Sequence, residues 1–334
     1  MTRILTGDTP TGRLHLGHLV GSLENRVQLQ SSHECFFLIA NIHAFTTRAE
    51  QPAEIRASTF EVIRDYLAVG IDPERSTFVV QSEIGAIAEL TVLLAMLLPF
   101  QRVMRNPTLK DELEVKGLAE HHSFGFPLYA VGQCADILAF RAHLVPVGED
   151  QEAHVEMCRE VARRFNRVYR EVFPVPETLI GRVARLAGID GAKKMSKSLD
   201  NAIYLSDDAK TIRSKVGRLY TGRQSRTDPG NTDGALFQYV RTFLRDPGRI
   251  AELTDRYARG DDIGDGEIKA EVATAIDELV APMRERRARY AGAQGEAQIL
   301  ELLAEHTRRA REVADATLAE VKDAMGLRFS ATTS

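Results

Sequence analysis

At 334 residues the chain is long enough for one large or two medium domains with a substantial core. Apolar residues make up 44% and charged residues 27%, with a formal net charge of −4. That balance excludes low-complexity and strongly basic classes, and no DNA partner is expected. No apolar run approaches the ~18 residues of a membrane span, and the start Met1–Leu5 carries no long apolar leader, so a cytoplasmic location is expected. Cys35, Cys134 and Cys158 are few and widely spaced, which argues against disulfides and a zinc knuckle.

Residues 3–6 read as a strand, followed by Gly7 and a Thr/Pro/Gly turn. From Leu16 a helical pattern places Leu19, Leu23 and Val27 on one face. Strand, glycine-containing loop and helix open a nucleotide-binding βα unit. Residues 35–40 form a continuous apolar run, typical of a strand buried on both faces. Residues 52–69 predict a helix closed by Gly70, and residues 77–80 a third strand. Residues 83–98 are nearly all apolar and predict a core or dimer-interface helix. Helices are predicted over 126–140 and 152–172, with a fourth strand at 143–147. The alternation predicts an α/β fold, a Rossmann-like doubly wound parallel sheet. Beyond residue 200 strand signals vanish. Ser206 reads as the N-cap of a helix through Arg218, and further helices are expected at 235–244, 250–257 and 266–290, the last kinked at Pro282. A final amphipathic helix carries Leu303, Ala310, Ala314, Leu318, Val321 and Met325 and ends at Gly326. The expected division is a catalytic domain over 1–200, an all-α domain over 201–328 and a disordered tail over 329–334.

Two stretches stand out. The first is Pro10-Thr11-Gly12-Arg13-Leu14-His15-Leu16-Gly17-His18, just after the first strand. Alone, His15 and His18 read as helix caps. The second is Lys194-Met195-Ser196-Lys197-Ser198, after the turn Gly188-Ile189-Asp190-Gly191. Two lysines three apart with hydroxyls beside them can wrap a cationic loop around a polyphosphate, although a bare K-x-x-K is usually a solvated surface. Gly148-Glu149-Asp150 follows a short apolar strand, where carboxylates would hold ribose hydroxyls. Tyr129, Gln133 and Asp136 project from one side of a helix, either as a polar edge or as the wall of a specificity pocket. His43 follows the second strand as a core histidine or a pocket residue, and Leu186 reads first as a buried strand residue. Lys210, Arg213, Lys215, Arg218, Arg223, Arg226 and residues 284–289 are basic candidates for RNA or, more plainly, solvated helix faces.

Together the two stretches resemble the paired HIGH and KMSKS signatures of class I aminoacyl-tRNA synthetases, the second letter for letter. Further matching stretches are residues 66–73, Gln81-Ser82-Glu83, residues 135–138, residues 145–151, Arg164-Phe165-Asn166 and residues 324–327. They resemble the tryptophanyl family of bacterial type, in particular its divergent second form. The resemblance implies tryptophan activation by ATP with Mg2+, transfer to tRNA(Trp), a homodimer and a C-terminal region that reads the anticodon. It places ATP against Thr9, Pro10, Thr11, Gly17, His18, Gly148, Glu149, Asp150, Leu186 and Lys194 to Ser198, with His15, His18, Lys194 and Lys197 catalytic and Mg2+ carried by ATP. Tryptophan is expected against Asp136, Gln133, Tyr129 and His43. Asp8-Thr9, Asn41 and Gly132-Gln133-Cys134 depart from the family's usual residues. Tyrosine activation, or an atypical tRNA-binding, tryptophan-sensing paralogue, are the rival readings.

Overall fold

The structure is a computed structural model that describes residues 2–115, 117–118, 121–148, 151–180, 183, 185–192 and 194–329. Strands β1 (Arg3–Asp8), β2 (Glu34–Ile39), β3 (Ser76–Val80), β4 (Leu144–Val147) and β5 (Glu177–Ile180) form one parallel sheet in the order β3-β2-β1-β4-β5. Leu5 is in register with Phe36, Phe37 with Phe78, and Ile4 with Leu144. Strand order reverses between β1 and β4, and in doubly wound sheets ligands bind outside the carboxyl ends of the strands at such a point.

After β1, α1 (Leu16–His18) passes through a π-helical turn, Leu19–Leu23, into α2 (Glu24–Leu29). Then come α3 (Asn41–Arg48) and α4 (Pro52–Val69). Proline at the first position of α4 has no amide to leave unsatisfied, and Gly70 closes the helix at φ 102°, where a Cβ would be strained. Between β3 and β4 lie α5 (Gly85–Ala95), α6 (Phe100–Met104), α7 (Pro107–Val115) and α8 (Gly125–Ala139), and α9 (Glu152–Val168) joins β4 to β5. The remaining chain forms α10 (Ala209–Gly217), α11 (Ala235–Phe243), α12 (Pro247–Arg259), α13 (Asp265–Ala288) and α14 (Gly292–Ala324). Among the described residues no helix is long and apolar enough to cross a membrane.

Alternate side chains of each strand enter opposite layers. Ile4, Phe37, Ile39 and Phe78 face α4 and join a core extended by Ile212, Phe237, Leu253 and Ile276 from α10 to α13. Leu5, Phe36, Leu38 and Val79 face α5, α8 and α9, where Ala310, Ala314 and Val321 of α14 complete the packing. The three cysteines are free and buried.

Several expectations are corrected. The helix predicted over 83–98 spans Gly85–Ala95, and the one over 152–172 ends at Val168. α10 is capped by Asp208, whose Oδ1 accepts the Thr211 N–H at 2.7 Å. Ser206 instead accepts a hydrogen bond from Arg13 at 2.9 Å. α3, α6, α7 and β5 have no counterpart among the sequence expectations. The four-residue β5 carries too little period-2 pattern to be recognised alone.

Candidate active site

The turn after β1 is tied down by backbone bonds from both directions. Leu16 N–H donates to the Ile203 carbonyl at 2.9 Å and Leu205 N–H to the Leu14 carbonyl at 3.0 Å. The segment after the lysine loop therefore runs beside the histidine turn. His15 caps α1, its Nδ1 accepting the Gly17 N–H at 3.1 Å, while His18 Nδ1 accepts the His15 N–H at 3.3 Å. Gly17 is required here, since a Cβ would come within 2.9 Å of the His15 ring. Both histidines are held neutral, His15 and His18 alike chiefly by burial and then by nearby positive charge including Lys197. With Nδ1 accepting, each ring keeps its proton on Nε2, a neutral donor rather than a cation. The capping and phosphate-facing readings are thus compatible, each using a different ring nitrogen.

The lysine loop is folded onto this turn. Met195 is buried, and its N–H donates to the Leu186 carbonyl at 2.7 Å. Ser196 N–H donates to Asn201 Oδ1 at 2.7 Å, and Asn201 Nδ2 reaches Asp190 at 3.0 Å and the Lys194 carbonyl at 3.3 Å. Asn201 thereby latches the first half of the loop to the turn before it. Lys197 Nζ donates to the Gly12 carbonyl at 3.0 Å and Thr11 Oγ1 at 3.2 Å. Burial lowers the Lys197 pKa to about 8, against the opposing pull of Asp8 and Asp65. Lys194 is exposed on the same loop. A cleft of about 410 Å³ opens between the motifs, lined by Thr11, Gly12, Arg13, Arg48, Glu61, Lys197 and Tyr204.

Thr9 is exposed and Pro10 buried at the carboxyl end of β1, and Gly148 follows β4 at the point where strand order reverses. Leu186 is buried as expected, but it lies on an irregular segment and not in a strand. Glu149 and Asp150 lie outside the described residues, as does the side chain of Ser198. Asp8 is a half-buried carboxylate whose pKa desolvation would raise, but Arg26 at 2.7 Å and the Tyr66 hydroxyl at 2.7 Å hold it below its usual value. Of the basic candidates, Lys215 is paired with Asp207, Arg223 with Asp265, Arg226 with Asp262 and Arg284 with Asp277. Lys210, Arg213 and Arg218 are exposed.

A second polar cluster is built on α8. Asp136 is 1% exposed, and burial raises its pKa to about 8. Gln81, also buried, donates from Nε2 to Asp136 Oδ1 at 2.9 Å and Oδ2 at 3.0 Å. The same nitrogen reaches His43 Nε2 at 2.9 Å, while Gln81 Oε1 accepts the backbone N–H groups of Ile42 and His43. His43 approaches Asp136 at 3.8 Å, but burial lowers its pKa to about 4, so this is a neutral contact and not an ion pair. Gly132 makes room for that ring, since a Cβ would lie 2.8 Å from His43 Nε2. Tyr129 stands beside His43 at 5.7 Å between centroids, its hydroxyl 3.3 Å from His154 Nε2. Asn106, fully buried, holds the other nitrogen of His154 at 3.2 Å. Gln133 Nε2 is 3.5 Å from Gln151 Oε1.

Gln81, His154 and Asn106 were missed in the sequence. The available signal was position, because Gln81 directly follows β3 at the same sheet edge as Asp8 and Gly148. α3 joins this cluster to the cleft, with His43 near its start beside Asp136 and Arg48 at its end lining the cleft. Asn41 pins it, bonding Ser82 at 2.8 Å and 3.0 Å.

Residues 1–281 match the family described as tRNA synthetases class I (W and Y). The tryptophan–tRNA ligase of Treponema pallidum is 47% identical over 332 residues, covering 98% of this chain and 97% of that protein. That of Clostridium longisporum is 44% identical over 334 residues, with coverage of 98% and 97%. The crystal structure of Campylobacter jejuni tryptophanyl-tRNA synthetase complexed with ADP and tryptophan is similar at TM-score 0.83 and 31% identity, covering 98% of this chain and all of that one. Tyrosyl-tRNA synthetase from Archaeoglobus fulgidus shares the fold, at TM-score 0.68 and 21% identity. The lysine loop folded onto the histidine turn, the doubly wound sheet beneath them and these similarities agree, and the chain belongs to the class I tRNA synthetases of the W and Y group.

Proposed function

We propose that this protein is an ATP-dependent tryptophan–tRNA ligase. The observation that carries the reading is Lys197 bonded to Thr11 and Gly12 over one cleft. In the first step a tryptophan carboxylate oxygen attacks the α-phosphorus of ATP, the bond to the bridging oxygen breaks and pyrophosphate leaves. In the second, the 2′-hydroxyl of the terminal adenosine of tRNA(Trp) attacks the aminoacyl carbonyl, loses its proton and displaces AMP. Neither step needs a covalent enzyme intermediate. Positioning and preorganised charge supply the rate.

In this reading Lys194 and Lys197 face the phosphates, assisted by Ser196 and Ser198, and Met195 anchors their loop. Thr9, Pro10, Thr11, Gly17, His15 and His18 form the turn against ATP, with the histidines donating from Nε2. Gly148, Glu149 and Asp150 take the ribose and Leu186 the adenine. Mg2+, when bound, neutralises phosphate charge. Among the described cleft residues the one carboxylate, Glu61, is engaged by Arg64 and Arg287, so the ion would ride on ATP. Asp136 would accept the indole N–H, with Tyr129, Gln133 and His43 around the substrate. A pocket built on such an acceptor rejects rings lacking a donor by about 10⁴–10⁵-fold. Residues 201–328 would recognise tRNA through exposed Lys210, Arg213 and Arg218. Two copies would associate through α5.

ATP–pyrophosphate exchange run across the amino acids tests the proposal. Exchange driven by tryptophan alone is expected. Exchange driven by tyrosine, or by none, overturns it.

A further inference from the structure

Asp65 of α4 is fully buried, and its two oxygens face different parts of the molecule. Oδ2 accepts the Leu14 N–H at 2.7 Å, immediately before His15. Oδ1 accepts Arg287 Nε at 2.8 Å, from the last turn of α13. A buried carboxylate needs such a partner, because an uncompensated charge there would be strongly unfavourable. Glu61, one turn earlier on α4, shares Arg287 and also pairs with Arg64 at 2.6 Å. Arg64 continues to the Tyr290 carbonyl and to Glu296, both at 2.9 Å, and Arg286 donates to the Ala68 carbonyl at 2.6 Å. A polar seam therefore joins α4 to the end of α13 and the start of α14. On its other side the histidine turn is held by the segment 203–205. Asp65 is the side chain that meets it from α4.

We propose that Asp65 is a positioning residue for adenylate formation: it fixes the Leu14 amide, and through it the His15–His18 turn, while Arg287 keeps its carboxylate in the bonding orientation. The inference rests on the proposed tryptophan activation. A seam that merely stapled α13 to α4 would change melting and leave the kinetics of ATP use alone. A positioning role moves the turn relative to the phosphates, where a displacement of about 1 Å can cost about 100-fold in rate.

The test uses the full chain with Asp65→Ala, Asp65→Asn and Arg287→Ala. Three quantities are read: kcat/KM for ATP in tryptophan-dependent exchange, tryptophan affinity without ATP, and hydrogen exchange over residues 12–19. Asp65→Ala is expected to lower kcat/KM for ATP about 100-fold, hold tryptophan affinity within about twofold and deprotect the Leu14 amide. Asp65→Asn, which keeps an oxygen for Leu14, should recover about tenfold of that loss. A folded Asp65→Ala protein with wild-type kcat/KM, or with an unchanged Leu14 amide, overturns the assignment. Should that variant not fold, Arg287→Ala decides, with a loss of about tenfold expected and a wild-type value overturning it. Absence of exchange in the wild type strikes the functional reading instead, and the Leu14 amide still reports on Asp65.

Discussion

At the scale of single residues, two groups, buried Asp136 and half-buried Lys197, have their pKa values moved in opposite senses. Burial raises the Asp136 pKa to about 8, so near neutrality the free pocket holds mostly a carboxylic acid. An indole N–H is bound best by the ionised acceptor. Tryptophan affinity, measured by calorimetry without ATP, should therefore rise about tenfold per pH unit from pH 6 and level off near pH 8. Asp136→Asn should bind more weakly with a flat profile, and a flat profile in the wild type would remove Asp136 from the binding step. Burial instead lowers the Lys197 pKa to about 8, so its positive charge is lost as pH rises through that value. kcat/KM for ATP should fall on a basic limb near pH 8 that reports the free enzyme, and Lys197→Met should abolish both the limb and most of the exchange. A limb that survives Lys197→Met belongs to another group.

At the scale of elements, α14 covers an exposed sheet edge with one histidine. β3 is an edge strand, and His306, 1% exposed, accepts the Phe78 N–H on Nδ1 at 2.9 Å while its ring also bonds the Pro73 backbone. Burial, with Arg309, lowers its pKa and keeps it an acceptor, against the opposing effects of Glu305 and Pro73. Because the folded pKa is depressed, its stabilisation is complete above the unfolded value of about 6.5 and is lost as pH falls below it. His306→Ala orphans a buried amide and should cost about 1–3 kcal/mol in urea unfolding at pH 8. No measurable change would mean water or a neighbour satisfies Phe78. Elements with local signals were legible in the sequence. Pro52 and Gly70 bound α4 where the chain itself marks the ends, and the two motifs are contiguous strings. α3 was not legible, because its first amides are capped by Gln81, which lies on another element. The pocket was half legible for the same reason. Periodicity brings Tyr129, Gln133 and Asp136 to one side of α8, but only folding delivers Gln81, His154 and Asn106 to them. Gly132, a departure from the family pattern in the sequence, has its reason in the His43 ring.

At the scale of the whole molecule, the side chains left outside the core bear on assembly. Val92 on α5, Met96 at its end and Phe100 opening α6 are 55%, 73% and 54% exposed, spaced four residues apart in the sequence. A contiguous patch of large apolar side chains marks an interaction site, and a self-complementary one closes into a two-fold dimer. The inner side of α5 packs along α8, which carries Tyr129 and Asp136. An interface on the outer side would thus lie one helix behind the amino-acid pocket and brace its wall. The protein should sediment at twice its 37.1 kDa, and Met96→Glu should sediment as a monomer. Because α5, which packs along α8, would lose its outer support, the monomer should bind tryptophan about tenfold more weakly, a coupling of about 1.4 kcal/mol. A wild-type protein that sediments as a monomer at micromolar concentration, or a Met96→Glu protein that remains paired, would move the contact to another face. A monomer with undiminished tryptophan affinity would show that the pocket is complete in one copy.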